Sequence, residues 1–109
     1  MLITFESLDE VVVPHCRGGE KEFRKKALET GDNTIMLGRL IPGASLGVHT
    51  HETESETIYY LSGTGEMIYD GAVEEARPGL CHHCPKGHTH GLKNTGDEDL
   101  VFFAVLPKQ

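Results

Sequence analysis

The sequence of 109 residues has only three cysteines and no apolar run long enough to span a membrane. A transmembrane helix needs about 20 predominantly apolar residues, so we expect no membrane partner. Residues 1–10 also lack the basic start and the apolar stretch of a signal peptide. An odd number of cysteines gives no disulfide framework, which is typical of a reducing compartment. These absences predict a cytoplasmic protein.

Positive charge is scarce as well. Ten Lys and Arg residues face 17 Asp and Glu residues, so that the formal net charge is −7 with neutral histidines. A nucleic acid or an anionic membrane would attract a field of the opposite sign. The charge balance therefore predicts no nucleic-acid partner and favours small molecules and metal cations. The length suits a single domain over residues 1–109.

Short segments rich in β-branched and aromatic residues alternate with turns built from Gly, Pro, Asn and Asp. The dipeptide Asp70-Gly71 marks the clearest tight hairpin. We predict strands at 34–41, 45–51, 56–61, 65–69, 73–76, 80–84, 91–93 and 100–106. Such a series of short strands predicts an all-β sandwich or barrel.

The segment EKEFRKKALE, residues 20–29, leaves two alternatives open. It contains good helix formers, and Glu20 and Arg24 have the i,i+4 spacing of a helical ion pair. Phe23, Lys25 and Ala27 could equally line one face of a strand. The pattern therefore predicts neither structure over the other.

The stretch CHHCPKGHTH, residues 81–90, suggests a zinc site at first sight. Pro85 favours extended geometry at Cys84, and three extended residues separate two Cα atoms by about 10 Å. A disulfide tolerates at most about 7 Å. The odd spacing also directs Cys81 and Cys84 to opposite faces of a strand, and no second Cys pair completes a four-cysteine zinc site. We expect two free thiols.

His49 and His51 lie two residues apart in a predicted strand, so both imidazoles project from one face with Cα atoms about 6.6 Å apart. A short polar loop could bring Glu56 to the same face. Two imidazoles and one carboxylate are the minimal set for a non-haem iron or similar divalent site with open positions. The alternative is that both histidines are surface residues of an edge strand.

The spacing around these residues resembles the two motifs of the cupin superfamily, in particular its small single-domain bacterial members. The first motif comprises Gly43, His49, His51, Glu56 and Gly63, and the second comprises Gly79, Pro85, Gly87, His90 and Asn94. The resemblance covers residues 37–106. Leu80 is a departure, since many cupins have an aspartate there, and this puts a turn contact in doubt.

The resemblance implies an antiparallel jelly-roll β-barrel that forms one domain over residues 1–109, with its conserved core at about 37–106. It also implies that His49, His51, Glu56 and His90 hold one divalent transition metal ion inside the barrel. Three imidazoles and a carboxylate suit Mn, Fe, Ni, Co, Cu or Zn, and the sequence does not choose among these metals.

Three further residues are candidates for catalytic roles. Tyr60 shares the parity of Glu56 and could donate a hydrogen bond to a ligand, or it could be a core aromatic. Arg39 could clamp a carboxylate in the pocket or form a surface ion pair. His82 could line the pocket. We expect His88 to lie in a loop or to support the site as a donor behind the ligands, and the acidic residues Glu52, Glu54 and Glu66 to be solvated.

The sequence is compatible with two functions of different classes. The first is a metal-dependent enzyme of the dioxygenase, decarboxylase, isomerase or lyase type that acts on a small polar or carboxylate-bearing metabolite. The second is a non-catalytic module that binds or senses a small molecule or the metal. We also expect a homodimer, because residues 2–5 and 11–13 are apolar and strand-prone, although these residues could instead cover their own chain.

Overall fold

The computed structural model describes residues 1–109, which form ten β-strands, two short 3-10 helices and no α-helix. The strands are β1 (Val11–Pro14), β2 (Glu22–Glu29), β3 (Asn33–Leu40), β4 (Ser45–Thr50), β5 (Glu56–Ser62), β6 (Gly65–Tyr69), β7 (Ala72–Ala76), β8 (Cys81–Cys84), β9 (Thr89–Asn94) and β10 (Leu100–Pro107). The 3-10 helices are Phe5–Ser7 and Cys16–Gly18. No helix is both long and apolar enough to cross a membrane.

The strands form two antiparallel sheets. The six-stranded sheet has the order β1-β2-β3-β10-β5-β8, and the four-stranded sheet has the order β4-β9-β6-β7. The all-β class is therefore confirmed. No hydrogen-bonded strand pair joins one sheet to the other, so the backbone does not close into the barrel that the resemblance implied. The two sheets are held together by side chains.

The predicted strand segments agree with the structure to within a few residues. The hairpin between β6 and β7 turns at Asp70 and Gly71, whose φ angles are 48° and 83°. Positive φ at both central residues is the geometry that an Asp-Gly hairpin turn provides. The open question of residues 20–29 is resolved as strand β2, which pairs with β3 over Phe23–Glu29.

The core lies between the two sheets because alternate residues of each strand point inward. Strand β10 shows this alternation along its whole length. Phe102 of β10 stacks on Phe23 of β2 with ring centroids 5.9 Å apart. Gly38 of β3 lies beneath this stack, and a Cβ atom there would lie 2.8 Å from each ring. The stack fixes β2 against β10 on one side of the interior.

The N-terminal residues pack on the outer face of the six-stranded sheet. Phe5 contacts Phe103 edge-on, with ring centroids 6.2 Å apart. Val11 and Val12 of the edge strand β1 are half exposed. At least part of this apolar segment therefore covers its own chain.

Candidate metal centre

Four side chains of both sheets meet in the interior. His49 lies on β4 and His90 on β9, and the two residues are directly paired in register. His51 follows the end of β4, and Glu56 is the first residue of β5 in the other sheet. Each residue offers one ligand atom, and these atoms all lie within 4.8 Å of one another. The structure thus brings together the set of residues that the resemblance implied.

Two backbone contacts place these side chains. The carbonyl of His51 accepts a hydrogen bond of 2.7 Å from the amide of Gly87, which ties the turn before β9 to the residue after β4. Gly47 lets the chain at Arg17 approach closely, because a Cβ atom at Gly47 would lie 2.0 Å from the Arg17 carbonyl oxygen. Both contacts bring residues distant in sequence to the metal centre.

The donor atoms lie close together. The Nε2 atom of His51 lies 3.2 Å from Nε2 of His49 and 2.9 Å from Nε2 of His90. Glu56 Oε1 lies 3.0 Å from Nε2 of both His51 and His90. Donor atoms about 2.1 Å from a metal and at right angles to each other are about 3 Å apart. The spacing therefore suits a single transition metal ion.

The partners of the other ring nitrogens assign the tautomers of His49 and His51. Nδ1 of His49 donates to the carbonyl oxygen of Gly47 over 2.7 Å. Nδ1 of His51 donates to Glu54 Oε1 over 3.1 Å. Because both Nδ1 atoms face acceptors, the Nε2 atoms of the neutral rings carry lone pairs. These lone pairs point at each other and at Glu56.

A cluster of lone pairs around a carboxylate repels itself unless a cation joins it. Burial would raise the pKa of Glu56, but a proton that His51 or His90 shares with its carboxylate lowers the pKa to about 2. The hydrogen bond that protonated His51 donates to Glu56 raises the pKa of His51, while burial lowers the pKa of His49. The chemistry of the donor set therefore fits a divalent cation, whose binding would displace any proton held by the cluster.

A cavity of about 280 Å³ opens beside the cluster. His49, His51 and Glu56 form part of its wall, and the side chains of Arg17 and Lys25 also line it. Neither cation forms an ion pair with an acidic residue of the chain. Phe23, Met36, Leu46, Phe102 and Leu106 supply the apolar part of the wall. Such a cavity suits a small anion with one end at the cluster.

None of the three catalytic candidates lines the cavity. Arg39 forms the surface ion pair that was one of its two predicted alternatives: its side chain faces away from the interior and lies 2.6 Å from both Glu10 and Asp99. Its residue parity in β3 is that of the outer face, so it does not reach the pocket. Tyr60 is a buried core residue whose hydroxyl has no hydrogen-bond partner, and it does not line the cavity.

The third candidate, His82, is buried but does not line the cavity. Its Nε2 atom lies 3.0 Å from Nδ1 of His90, and its Nδ1 atom lies 2.7 Å from Glu74 Oε1. Burial lowers the pKa of His82. The side chain thus contacts an expected ligand from behind rather than a ligand molecule from the front.

The remaining histidines and cysteines play no direct part in the cluster. His88 is exposed in the turn before β9, where its ring stacks on Tyr69. Cys81 is exposed and Cys84 buried, which confirms that they face opposite sides of the strand. Burial raises the pKa of the Cys84 thiol to about 11. Both are free thiols, as expected.

Several residues of the site were not predicted from the sequence. Glu54 was expected to be solvated, but it accepts the hydrogen bond from His51; its place two residues before Glu56 gave no sign of this. Glu74 was not considered, because its contact depends on β7 lying beside β8 across the gap between the sheets. Lys25 was predicted to share one face of a possible strand with Phe23. That shared face was the only feature of the sequence that indicated a position beside the cavity.

The comparisons with known proteins agree with this geometry. A family model described as a cupin domain matches residues 36–106. The chain is 30% identical over 112 residues to a protein of Thermotoga maritima named oxalate-binding protein, covering 97% of this chain and 93% of that protein. It also resembles the crystal structure of a predicted oxalate decarboxylase from the same organism, with 28% identity, a TM-score of 0.93 and complete coverage of both chains. A polyketide cyclase of Streptomyces resistomycificus shares the fold, with a TM-score of 0.82, 23% identity and coverage of 98% of this chain and 78% of the cyclase.

Proposed function

Because the chain belongs to the cupin family, we propose that His49, His51, Glu56 and His90 hold one divalent transition metal ion at which a small carboxylate ligand binds. The observation that carries this proposal is the convergence of three imidazole Nε2 atoms and one carboxylate oxygen, with neighbouring donors 2.9–3.2 Å apart. When bound, the ion supplies positive charge and open coordination positions next to the cavity. We further propose that the two sheets form the jelly roll of the family within one domain, residues 1–109.

The cavity supports a small dianion as the ligand, with oxalate as the first candidate. Arg17 and Lys25 place two positive charges on its wall without ion-pair partners among the acidic residues. The bound ion would add a third source of positive charge on the side of Glu56. A dianion would neutralise charge from both the ion and the wall, whereas an uncharged ligand would leave the two cations unpaired. The relative named oxalate-binding protein supports the same choice.

A second candidate function is turnover of the same ligand by a metal-dependent enzyme of the decarboxylase, dioxygenase, isomerase or lyase type. Glu29 favours it, because this exposed residue at the end of β2 lines the cavity and its carboxylate has no hydrogen-bond or ion-pair partner in the structure. A decarboxylation replaces a carboxylate by a proton, and Glu29 is the carboxylate of the wall that would exchange that proton. The other carboxylate on the wall that is not an expected metal ligand, Glu54, already accepts from His51.

Elemental analysis of the purified protein tests the metal proposal. We expect about one equivalent of a transition metal per chain and less than one tenth of that in His51→Ala. Thr50→Ala is the matched control, because Thr50 precedes His51 and is the exposed last residue of β4, and it should retain the metal. Unchanged metal content in His51→Ala would overturn the proposed metal site.

Calorimetric titration of the Mn²⁺-loaded protein with oxalate, and then with acetate, tests the ligand. We expect saturable binding of oxalate that is at least 10-fold tighter than that of acetate. Oxalate recovered unchanged after long incubation would favour binding alone, and metal-dependent formation of formate and CO₂ would favour the enzyme. Equal affinity for the two anions would contradict the dianion proposal.

The homodimer stays a prediction. Tyr59 and Leu61 of β5 are nearly half exposed on the outer face of the six-stranded sheet, which provides apolar surface for such a contact. Light scattering of the intact chain and of a chain that lacks its first residues tests the role of the N-terminal apolar segment. A dimer that becomes a monomer on truncation would place the contact in that segment, and a monomer in both cases would contradict the homodimer.

A further inference from the structure

His82 lies directly behind His90, on the side away from the cavity. Its Nε2 atom is 3.0 Å from Nδ1 of His90, and the two rings are nearly parallel with centroids 5.2 Å apart. Both residues are at most 4% exposed. The contact is therefore made in the interior, where a hydrogen bond is strong and an unpaired polar atom is costly.

Glu74 is the third side chain in a hydrogen-bonded series with His82 and His90. Its Oε1 atom lies 2.7 Å from Nδ1 of His82, and the Glu74 side chain is 43% exposed. Glu74 is on β7 and His82 on β8, which are edge strands of different sheets. No backbone hydrogen bond joins these two edges, so the side-chain contact spans the gap between the sheets.

The donors and acceptors in this hydrogen-bonded series can be assigned. A carboxylate only accepts hydrogen bonds, so Nδ1 of His82 carries the proton and donates it to Glu74. The Nε2 atom of the neutral His82 ring is then an acceptor, and Nδ1 of His90 must be the donor. Nε2 of His90 is left with a lone pair, which points at the Glu56 carboxylate 3.0 Å away. A surface carboxylate thus determines which nitrogen of a buried imidazole is free.

We propose that Glu74 and His82 are positioning residues that hold His90 in the orientation and the Nδ1–H tautomer that metal binding requires. The proposal rests on the proposed function, since the tautomer matters because His90 is a metal ligand. Histidines that bind metals donate their other N–H to a carboxylate, a carbonyl or water. His49 and His51 follow this rule directly, through Gly47 and Glu54. His90 follows it through an interposed second imidazole.

The same residues allow a competing arrangement. His82, Cys84 and His90 also offer ligand atoms within 4.8 Å of one another, so a second ion could replace the hydrogen bond between the two rings. In that arrangement Nδ1 of His90 would carry no proton, and the protein would bind two ions per chain. The tautomer of His90 and the metal stoichiometry therefore distinguish the two arrangements.

Nitrogen-15 NMR of the histidine rings in the metal-free full-length protein tests the tautomer without any metal. We expect His90 to be protonated at Nδ1 in the wild type and to become a mixture of tautomers in His82→Leu, which offers no acceptor. His82→Gln retains an amide oxygen as acceptor and should keep the wild-type tautomer. A wild-type His90 protonated at Nε2 would overturn the proposal.

Calorimetric titration with Mn²⁺ tests the consequence. We expect His82→Leu to weaken binding about 10- to 100-fold, the range typical of a lost partner of a metal ligand, and Glu74→Ala to weaken it by a smaller factor. Glu75→Ala is the matched control, because Glu75 is on the same strand but exposed and paired with Arg77, and its affinity should equal that of the wild type. Circular dichroism and thermal denaturation verify that each variant is folded.

Affinity within twofold of the wild type in a folded His82→Leu variant would overturn the positioning role. Binding of two ions by the wild type, with one lost in Cys84→Ser, would overturn it in favour of the second ion. If the wild type bound no Mn²⁺ or other transition metal, the proposed function would fail instead. The tautomer measurement would still decide whether Glu74 and His82 orient His90.

Discussion

Lys25 is a cation on the inward face of β2, where Phe23 precedes it at the same parity. Its side chain lines the cavity beside the candidate metal centre and has no acidic partner. Burying an unpaired positive charge destabilises a protein unless the cavity stays hydrated or an anion enters it. The position of Lys25 is therefore more readily explained by a ligand than by packing.

Replacing Lys25 with methionine keeps the length of the side chain and removes its charge. We expect the affinity of the Mn²⁺-loaded protein for oxalate to fall about 10- to 100-fold, since a hydrogen bond to a charged group contributes about 1.5–3 kcal/mol. The affinity for Mn²⁺ itself should not change. Calorimetric titrations with metal and then with oxalate measure both values.

Lys26→Met provides the control for this prediction. Lys26 follows Lys25 on β2 and points to the opposite face, where it lies near Arg39 and Glu10. Its loss removes the same charge from the molecule but not from the cavity, so oxalate affinity should be retained. An equal loss of affinity in both variants would attribute the effect to net charge rather than to a contact.

At the scale of residues, the sequence predicted best where a short spacing decides the geometry. His49 and His51 share a face because they lie two apart in a strand, and the motif spacing supplied Glu56 and His90. Glu74 and Arg17 could not be found in this way. Their contacts depend on which strand edges and turns approach each other, and no local pattern encodes that approach.

At the scale of elements, Gly38 illustrates how closely the strands around the cavity pack. A Cβ atom at this position of β3 would lie 2.8 Å from the rings of both Phe23 and Phe102. We expect Gly38→Ala to destabilise the protein by about 1–3 kcal/mol, because the stacked rings would have to move apart. Thermal or urea denaturation measures the loss.

Gly31→Ala is the control for this substitution. Gly31 lies between β2 and β3, where an added Cβ atom would meet nothing within 4 Å. The free energy of unfolding of the Gly31→Ala variant should stay within about 0.5 kcal/mol of that of the wild type, as is usual for surface substitutions. A similar loss in both variants would show that chain flexibility, and not the aromatic stack, determines the effect at Gly38.

Arg39 connects the segment before β1 to the start of β10 through Glu10 and Asp99. The hydrogen bond from Arg39 lowers the pKa of Glu10. A carboxyl with a lowered pKa in the folded state stabilises the protein above its unfolded pKa, and this contribution disappears as the pH falls through the folded value. The pair therefore stabilises the N-terminal segment at neutral pH and not in acid.

Glu10→Gln should lower stability at pH 7 by at most about 1 kcal/mol, since the pair is partly exposed and screened by solvent. The difference from the wild type should shrink as the pH falls below about 4, near the ordinary pKa of a glutamate. Thermal denaturation of both proteins across this pH range gives the difference. A gap that persisted in acid would mean that Glu10 acts through packing and not through its charge.

The strands themselves were predictable because alternating residues and Gly- or Asp-containing turns are local signals. Residues 20–29 were not, since Glu, Lys and Arg at their positions suit a helix as well as a strand. The pairing of β2 with β3 and the burial of Phe23 favour the strand over the helix. These are long-range interactions, and so is the strand order that leaves the two sheets without a shared backbone hydrogen bond.

At the scale of the whole molecule, the four candidate metal ligands come from two sheets that the backbone leaves separate. His49 and His90 belong to the four-stranded sheet, whereas Glu56 belongs to the six-stranded sheet. An ion held by these side chains would bind the folded chain and not the unfolded one. Its binding free energy then adds to the stability of the fold.

Saturating the protein with metal should therefore raise its melting temperature. At a free Mn²⁺ concentration of 100 times the dissociation constant, the folded state gains about 2.7 kcal/mol, which corresponds to roughly 10–20 °C for a domain of this size. Thermal denaturation with excess Mn²⁺ and with a chelator measures the shift. In His90→Gln the shift should be largely lost, because the ion would lose one of the two ligands that face Glu56 most closely. An equal shift in that variant would place the stabilising ion elsewhere on the surface and separate the stability of the two-sheet fold from the proposed site.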